Sequence, residues 1–403
     1  MPSTALAGIK VLDLSRVLAA PLAGQMLADL GAEVIKVERP GAGDEAREYG
    51  PPFLADADGR PTRDAAFYFS CNRNKKSIAL DLATADGQAI VRRLAAQSDV
   101  VLENFKAGSL KKYGLDYESL KAVNPRLVYC SVTGFGQTGP LAPKPGYDGV
   151  FQAMSGMMSV SGYPEEPIKV GISMVDILTS LYAANAIQAA LYHRDMHGGP
   201  GQHIDMSLLD CGLASLSHFA MNYLISGEVP ERRGNGGYGG VPSQAFICAD
   251  KQIFLVAGNN GQFSRLCEVL GRPDLPHDPR FSETAGRIAH RSDLIEILDA
   301  IFPTRPAAEW LAALDAAGVA AGPVNDISEA VAEPQILHRE MVREIDHPLG
   351  VKLKILANPI RFSETPIDGY AAPPGVGQHT DEILAALGLG DAEREDLRAR
   401  RIT

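Results

Sequence analysis

A single charged side chain interrupts a long apolar stretch and is the first candidate for chemistry. Between Lys169 and Arg194, the sequence KVGISMVDILTSLYAANAIQAALYHR contains one other formally charged residue, Asp176. Burying a carboxylate without partners costs several kcal/mol, so its presence there requires a reason. An aspartate with an ordinary pKa of about 3.9 is ionised at neutral pH and needs no base to attack an activated acyl group. Asp176 is therefore a candidate nucleophile.

Helix capping is a second interpretation of Asp176. Aspartate is a favoured N-cap residue, and the apolar stretch around it has the size of a buried helix. The two interpretations are compatible, because the N-terminus of a helix also stabilises an anion. From the residues alone, both interpretations stay open.

A glycine-rich run is the second unusual segment. GNGGYGG (234–240) has five glycines in seven residues, within a stretch (226–244) that is rich in glycine, proline and charge. Such backbone freedom suits a mobile lid over a reactive group. It suits a solvated linker between domains equally well.

Strands and helices alternate in the N-terminal half of the chain. Each predicted strand is short, apolar and bounded by turn residues, and helix-like segments separate several of them. The predicted strands are 11–15, 33–38, 75–82, 99–104 and 126–135, and the predicted helices are 21–31 and 87–98. This alternation predicts an α/β fold with a parallel sheet covered by helices.

The pattern changes near residue 226. A hairpin is predicted at 245–259, followed by helices at 263–271 and 307–318. A strand at 351–363 and an amphipathic helix at 379–389 then resume the earlier pattern. The predicted division is a large domain at 1–225, a small domain at 226–330 and a C-terminal segment, 331–403, that returns to the large domain.

Composition excludes several classes of function. A length of 403 residues exceeds the usual size of one core, and the net charge of −11 argues against a nucleic-acid partner. The five cysteines include no CxxC pair, so we expect neither disulfides nor a bound metal. The chain has no run of about 18 apolar residues and no signal peptide. We therefore expect a cytoplasmic protein with no membrane partner.

Eight stretches together resemble the class III CoA-transferase family, which includes formyl-CoA:oxalate and carnitine CoA-transferases. Each stretch alone is common, but their order and spacing are specific. The stretches are LAGIKVLDLSRVLAAP (6–21), LGAEVIKVERPGAGDEAR (30–47), NRNKKSIALDL (72–82), DVVLENFKAGSLKKYGL (99–115), NPRLVYCSVTGFGQTGP (124–140), PGYDGVFQAMSG (145–156), GISMVD (171–176) and GQHTDEILAALGL (377–389). The resemblance implies a large domain with a Rossmann-like parallel sheet, a smaller α+β domain and an interlocked homodimer.

The resemblance also implies a mechanism, since the nucleophilic aspartate of the family falls on Asp176. Coenzyme A would be a substrate and not a permanently bound cofactor, and the partners would be an acyl-CoA and a carboxylic acid. Aspartyl acyl and aspartyl-CoA intermediates would conserve the thioester energy, provided that water is excluded. The glycine run would then act as the lid.

Coenzyme A carries phosphates and needs several cationic and backbone donors. The CoA-binding residues implied by the resemblance are Leu18, Ala19, Arg39, Leu80, Asp81, Leu82, Ala83, Asn104, Phe105, Lys106, Lys112, Lys144, Pro145, Gly146 and Tyr147. The implied acyl-pocket and lid residues are Tyr49, Tyr238, Gly239 and Gly240. Two positions depart from relatives: Lys112 replaces an arginine found in some of them, and Leu18 replaces the glutamine of those that use oxalate.

Three other functions compete with this interpretation. A 2-methylacyl-CoA racemase shares this fold, but it needs a base on each face of the substrate, usually a histidine. Gly146, Tyr147 and Asp148 stand where racemases have Gly-His-Asp, and all nine histidines follow Tyr192. A dinucleotide-binding protein should carry GxGxxG after the first strand, and this chain does not. A CoA-binding regulator without activity would be separated from an enzyme by a turnover assay.

The acids exchanged are indicated only by analogy within the family. DLSRVL, GPPF (50–53) and GNNGQF (258–263) resemble members that use succinyl-CoA with dicarboxylic acids. Arg16 and Arg47 are the candidate ligands for a second carboxylate. The sequence therefore predicts a dicarboxylate as acceptor.

Overall fold

The computed structural model describes residues 4–237, 239–367 and 369–403, which form two compact units. The larger unit runs to Met157, then covers Val170–Ser226 and everything from Leu337; the smaller unit is Met158–Lys169 with Gly227–Ile336. The sequence interpretation assigned 158–169 to the large domain, whereas the structure groups this segment with the smaller unit. The reason is a contact with residues far along the chain: the Gly162 carbonyl accepts a hydrogen bond from the Gly234 N–H at 2.8 Å.

The strands lie in five sheets. In chain order they are β1 (Lys10–Asp13), β2 (Glu33–Glu38), β3 (Phe53–Ala55), β4 (Pro61–Ala65), β5 (Lys75–Ala79), β6 (Val100–Glu103), β7 (Val128–Thr133), β8 (Gly162–Tyr163), β9 (Glu166–Pro167), β10 (His203–Ser207), β11 (Ser243–Ile247), β12 (Gln252–Val256), β13 (Ala320–Pro323), β14 (Val342–His347) and β15 (Val351–Leu356).

The helices connect and cover these sheets. They are α1 (Ala19–Asp29), α2 (Ala66–Phe69), α3 (Ala85–Ala96), α4 (Tyr117–Val123), α5 (Asp148–Met154), α6 (Met157–Val160), α7 (Met174–His197), α8 (Leu208–Ala214), α9 (His218–Ser226), α10 (Asn260–Val269), α11 (Thr284–Ala289), α12 (Arg291–Ile301), α13 (Ala307–Ala316), α14 (Ile327–Ala332), α15 (Pro334–His338), α16 (Thr380–Ala386) and α17 (Asp391–Ala399). Short 3-10 helices lie at Glu45–Glu48, Ser109–Tyr113, Leu275–His277 and Phe302–Thr304.

The larger unit is built on a six-stranded sheet of order β10-β7-β6-β1-β2-β5, in which every neighbouring pair is parallel. The predicted parallel sheet is confirmed. β7 is buried at all six residues, as expected of a strand whose two faces are both covered by helices. The chain starts in the middle of the sheet at β1 and builds outward in both directions, which is a doubly wound topology.

Each face of this sheet has its own core. On one face, α1 and α7 contribute buried side chains such as Leu27 and Ile187. On the other face, the core includes Ile90 from α3, Leu120 from α4 and Ile383 from α16. The C-terminal helices thus complete a core that begins at β1, which is why the end of the chain returns to the larger unit.

The helix that carries Asp176 is a core element. α7 is 24 residues long, and Ala183, Ile187 and Leu191 are buried along one side of it. By length and composition alone α7 is long and apolar enough to cross a membrane, since its most apolar 18-residue window has a mean hydropathy of 1.2. The core helices of soluble proteins often meet the same criterion. Its other side exposes apolar residues, among them Tyr192, which is 65% exposed.

The smaller unit contains a three-stranded antiparallel sheet of order β11-β12-β13. The predicted hairpin is confirmed: β11 and β12 pair antiparallel, with Phe246 opposite Ile253. A buried core surrounds Trp310 on α13, whose indole N–H donates to the Phe302 carbonyl at 2.9 Å. This unit therefore has the mixed α and β composition that the sequence predicts.

The glycine run ends in a tight contact between two backbones inside the smaller unit. A Cβ on Gly240 would lie 2.5 Å from the Gly258 Cα atom, a distance too short for any side chain. The buried Arg287 ties the same place together, because its Nε donates to the Val241 carbonyl and its Nη2 to the Gly258 carbonyl, both at 2.9 Å. The C-terminal end of the run is thus held in position.

Candidate active site

The candidate site lies where the order of strands reverses. β1 and β6 are neighbours, and the chain leaves the carboxyl end of β1 towards β2 but that of β6 towards β7, in opposite directions. In α/β sheets, ligands bind in the crevice beyond this reversal. Two cavities open here, and both are lined by residues that directly follow strands of the sheet.

The first cavity, of about 270 Å³, contains Asp176. The predicted residues that line it are Leu18, Ala19, Asn104, Phe105, Lys106, Lys144, Pro145, Gly146, Tyr147 and Asp176. The sequence analysis did not identify the wall formed by Val132, Thr133, Gly134 and Leu208. These residues end β7 and begin α8, and their position at the carboxyl ends of strands is the signal that could have found them.

The second cavity, of about 290 Å³, adjoins the first. The predicted residues that line it are Arg39, Leu80, Asp81, Leu82, Ala83 and Phe105. Arg16, Glu45 and Phe105 line both cavities and therefore lie at their junction. The two cavities together form an elongated cleft along the carboxyl edge of the sheet.

Asp176 is in the first turn of α7 but does not cap it. The helix begins at Met174 and its N-cap residue is Ser173, so the N-cap interpretation of Asp176 is wrong. The capping acceptor is Asp148, whose Oδ1 accepts from the Val175 N–H at 2.8 Å and from the Asp176 N–H at 3.4 Å. Because the Asp148 carboxylate accepts the hydrogen bonds from the first N–H groups of the helix, the Asp176 side chain is available for chemistry.

Asp148 holds the start of the helix that carries Asp176, and this role was not predicted from the sequence. It is buried, and its Oδ2 accepts from Gln152 Nε2 at 2.7 Å. Its partners on α7 follow 27 and 28 residues later, so no local pattern announces the contact. The only local signal is an aspartate at the start of a short helix, a common capping position.

Burial and charge both perturb Asp176. Burial, with the negative charge of Asp148 as a second and smaller cause, raises the pKa of Asp176 to about 7. Within the described residues, Asp176 forms no ion pair that would offset these effects. A carboxylate with a strongly perturbed pKa in a cleft is typical of a catalytic group.

The start of α1 forms the wall next to Asp176. Leu18 is the N-cap of α1 and has no side-chain cap, so the first N–H groups of the helix are left without a helical acceptor. The Ser180 hydroxyl, on α7, donates to the Ala19 carbonyl at 2.7 Å and joins the two helix N-terminal regions. A helix N-terminus at this cavity favours a negative charge.

Some predicted residues lie outside the two cavities. Lys112 is exposed, with its ammonium 4.6 Å from the ring centroid of Tyr113, which does line the second cavity. Tyr49 is 43% exposed and packs edge-to-face against Phe67. Gly239 and Gly240 belong to the smaller unit, and Tyr238 lies outside the described residues. Their roles stay predictions.

Arg47 cannot serve as a ligand for a substrate carboxylate, which corrects the sequence interpretation. It is buried, and its guanidinium donates to both oxygens of Glu38, to Asp64 and to the Pro374 carbonyl. Every nitrogen is thus engaged, and the contacts tie the segment after β2 to β2, to β4 and to the C-terminal segment. Arg47 is a structural residue.

Other chemistries find no support in the part of the chain that the structure describes. It contains no group of three or more His, Cys, Asp and Glu side chains arranged to hold a metal. All five cysteines are buried thiols, and burial raises the pKa of Cys71 to about 11. No histidine among the described residues lines either cavity, so the racemase alternative lacks its second base.

Comparisons with known proteins establish the family of this chain. The model of CoA-transferase family III matches residues 6–380. The succinate–glutarate CoA-transferase of Agrobacterium fabrum is 46% identical over 383 residues, 95% of each chain, and the succinyl-CoA:glutarate CoA-transferase of Homo sapiens is 42% identical over 381 residues, 94% of this chain and 85% of that one. A solved CAIB/BAIF family protein from Brucella suis superimposes with a TM-score of 0.86 at 46% identity, covering 96% of this chain and all of the other. The predicted family is confirmed: this chain is a CoA-transferase and belongs to CoA-transferase family III.

Proposed function

We propose that this enzyme transfers coenzyme A from succinyl-CoA to a dicarboxylic acid, with Asp176 as the covalent nucleophile. The observation that carries the proposal is the Asp176 carboxylate, which has a raised pKa and lies on the wall of a cavity that continues into a second cavity, to which Arg16 and Arg39 contribute. The relatives from Agrobacterium fabrum and Homo sapiens are both named for succinyl and glutaryl exchange, and they cover nearly all of this chain. These names support the choice of acids.

The proposed reaction proceeds through two covalent states of Asp176. Its carboxylate attacks the thioester carbonyl, which forms a mixed anhydride and releases CoA thiolate. The thiolate then attacks the aspartyl carbonyl carbon, forming an aspartyl-CoA thioester and releasing the first acid. The acceptor carboxylate attacks this thioester to give a second anhydride, and the returning thiolate takes the new acyl group and frees Asp176. Each step exchanges one activated acyl bond for another, so thioester energy is conserved.

The elongated cleft suits the shape of an acyl-CoA. We place the thioester in the first cavity at Asp176 and the nucleotide end in the second cavity. Arg39 is exposed at the second cavity, while Lys106 and Lys144 are exposed at the first. Exposed cations on a ligand cleft match phosphate groups, which are large and hydrated.

Mass spectrometry of CoA thioesters tests the function. Incubation with succinyl-CoA and glutarate is expected to yield glutaryl-CoA and succinate, whereas acetyl-CoA is expected to exchange poorly with isotope-labelled acetate. The physical reason is that a second carboxylate provides an additional charged contact in the cleft. A clear preference for monocarboxylic acids would contradict the dicarboxylate assignment and leave the family assignment intact.

Loss of one cation at the nucleotide end is expected to weaken binding. Arg39→Ala and Lys112→Ala should each raise the dissociation constant for acyl-CoA about tenfold or more, because charge-assisted contacts contribute roughly 1.5–3 kcal/mol. The rate at saturating acyl-CoA should change little, since neither side chain lines the cavity that contains Asp176. Isothermal titration with CoA measures the effect. If both variants bind CoA as tightly as the parent, the nucleotide end lies elsewhere.

The proposed active form is a homodimer. The outer side of α7 and the helix α9 expose large apolar side chains, and Leu224 and Ile225 are 72% and 80% exposed. Apolar surface of this extent is typical of an interface between subunits. Sedimentation velocity at micromolar concentration is expected to give a single dimeric species. A stable monomer under these conditions would contradict the proposal.

A further inference from the structure

Arg16 is held at the junction of the two cavities by an unusually constrained turn. The turn follows β1 and leads into α1, and its next residue, Val17, has a φ of +70°. A β-branched residue in the left-handed region is strained and persists only where its surroundings fix it. The strain at Val17 must therefore be offset by contacts that hold the turn in place.

Buried polar groups fix the turn from several sides. The Asn104 side chain accepts from the Arg16 N–H at 2.9 Å and donates to the Arg16 carbonyl at 2.6 Å. Asp44 Oδ1 accepts from the Val17 N–H at 3.0 Å, and the buried Lys36 donates to the Ser15 carbonyl at 2.7 Å. These contacts bind the backbone of the turn and leave the Arg16 side chain free of them. By fixing the backbone, they determine where the Arg16 side chain enters the cleft.

The Arg16 guanidinium is only partly engaged. Its Nη1 donates to Glu45 Oε1 at 2.7 Å, and its central carbon lies 4.8 Å from the ring centroid of Phe105. Its Nε is buried and has no acceptor among the described residues. The Arg16 and Glu45 side chains are 36% and 51% exposed, so the ion pair is open to solvent. An exposed pair of this kind contributes little to stability, so Glu45 is readily exchanged for another carboxylate.

Arg16 differs from the other cations of the first cavity. Lys106 and Lys144 are exposed, whereas Arg16 is partly buried and shares the cavity with Asp176. A guanidinium fork binds a carboxylate through two parallel hydrogen bonds, which a lysine cannot do. Arg16 lines both cavities, so its fork lies within the cleft that contains Asp176.

We propose that Arg16 is the specificity-determining residue, which binds the distal carboxylate of a dicarboxylic acyl group, and that Glu45 is the resting partner it exchanges for that carboxylate. The proposal rests on the proposed function of the same cleft. It assigns the choice between dicarboxylic and monocarboxylic acyl groups to one ion pair. Asn104 and Asp44 are then positioning residues, because they act on the substrate only through the turn.

Two donors that differ only at the distal end test this assignment. Succinyl-CoA and butyryl-CoA have four-carbon acyl groups and the same CoA portion. In a ping-pong reaction the kcat/KM for the donor does not depend on the acceptor, so the ratio of the two values reports recognition of the distal carboxylate. The parent is expected to prefer succinyl-CoA.

Arg16→Gln is expected to lower kcat/KM for succinyl-CoA about 10–100-fold and to change that for butyryl-CoA by less than about threefold. Arg16→Lys should give an intermediate ratio, since it keeps the charge and loses the fork. Glu45→Gln should raise the preference for succinyl-CoA about two- to fivefold, because the competing carboxylate is gone. Arg60→Gln, which breaks an exposed ion pair with Asp58 outside both cavities, is the matched control and should leave the ratio unchanged.

Equal losses with both donors in Arg16→Gln would overturn the proposal, since they would place Arg16 on the CoA portion or in folding alone. An unchanged ratio would overturn it as well. Failure of the proposed function is seen separately, in the parent: an enzyme that does not discriminate between the two donors contradicts the dicarboxylate assignment before any variant is made.

Discussion

Asp176→Asn is expected to abolish CoA transfer while leaving the protein folded. The amide lacks the anionic oxygen that attacks the thioester, so kcat should fall by a factor of about 10³ or more. The fold should persist because Asp148, and not Asp176, accepts the hydrogen bonds at the start of α7. Transfer assays and thermal unfolding measure the two effects. Asp195→Asn, which changes an exposed side chain at the far end of the same helix that pairs with Arg126 and Arg194, is the control that should retain full activity.

Covalent trapping locates the nucleophile independently of activity. The parent, incubated with acyl-CoA and no acceptor, should gain an adduct on the peptide that contains Asp176, and hydroxylamine should remove it. The Asp176→Asn variant should bind acyl-CoA and gain no adduct. Full activity in this variant, or an adduct on another peptide, would sink the assignment of the nucleophile.

The rate of the first half-reaction is expected to rise with pH through about 7. Burial, with the charge of Asp148 as a second cause, raises the pKa of Asp176 to about 7, and only the ionised form attacks. Asp148→Asn removes that charge, so the midpoint of the kcat/KM profile should move to lower pH while burial keeps it above the ordinary aspartate value. In this variant the NH₂ group of the asparagine would face the Gln152 Nε2, which is also a donor. The lost hydrogen bond is expected to lower the free energy of unfolding by about 1–3 kcal/mol.

The raised pKa of Asp176 also makes the stability of the folded protein depend on pH. The folded state holds the Asp176 proton more tightly than the unfolded state, so its contribution to stability is lost as the pH rises from about 4 through about 7. The asparagine side chain in Asp176→Asn cannot ionise. The difference in melting temperature between this variant and the parent should therefore grow in favour of the variant between pH 5 and pH 8. A kinetic midpoint that does not move in Asp148→Asn, together with a constant difference in melting temperature, would contradict the perturbed pKa.

Local patterns were sufficient to predict the sheet, and the resemblance to the CoA-transferase family supplied most of the predicted cleft residues. Short apolar strands alternating with helices require a parallel sheet, and residues directly after strands, such as Arg39 and Asn104, must gather at its carboxyl edge. The hairpin of β11 and β12 was predictable for a similar reason, since its strands are adjacent in sequence. These features depend on contacts between near neighbours or on the periodicity of one element.

The features that were missed depend on contacts between distant residues. Asp148 caps a helix that begins 26 positions later, and nothing near it in the sequence indicates which helix it serves. Arginine is a common ligand of carboxylates, but Arg47 is already bound to Glu38 and to the Pro374 carbonyl. The contact with Pro374 depends on the packing of the C-terminal segment, which the sequence around Arg47 does not reveal. The role of Asn104 in holding the Arg16 backbone is likewise invisible until β1 and β6 are neighbours.

The contact between Gly240 and Gly258 fixes the C-terminal end of the glycine run. Neither backbone can move toward the other, and Arg287 ties Val241 and Gly258 together. The first part of the run is held as well, because the Gly234 N–H donates to the Gly162 carbonyl at 2.8 Å and the Gly237 N–H donates to the Ser243 carbonyl at 2.7 Å. An alanine at Gly240 would loosen the C-terminal anchor, since its Cβ would have no room beside Gly258.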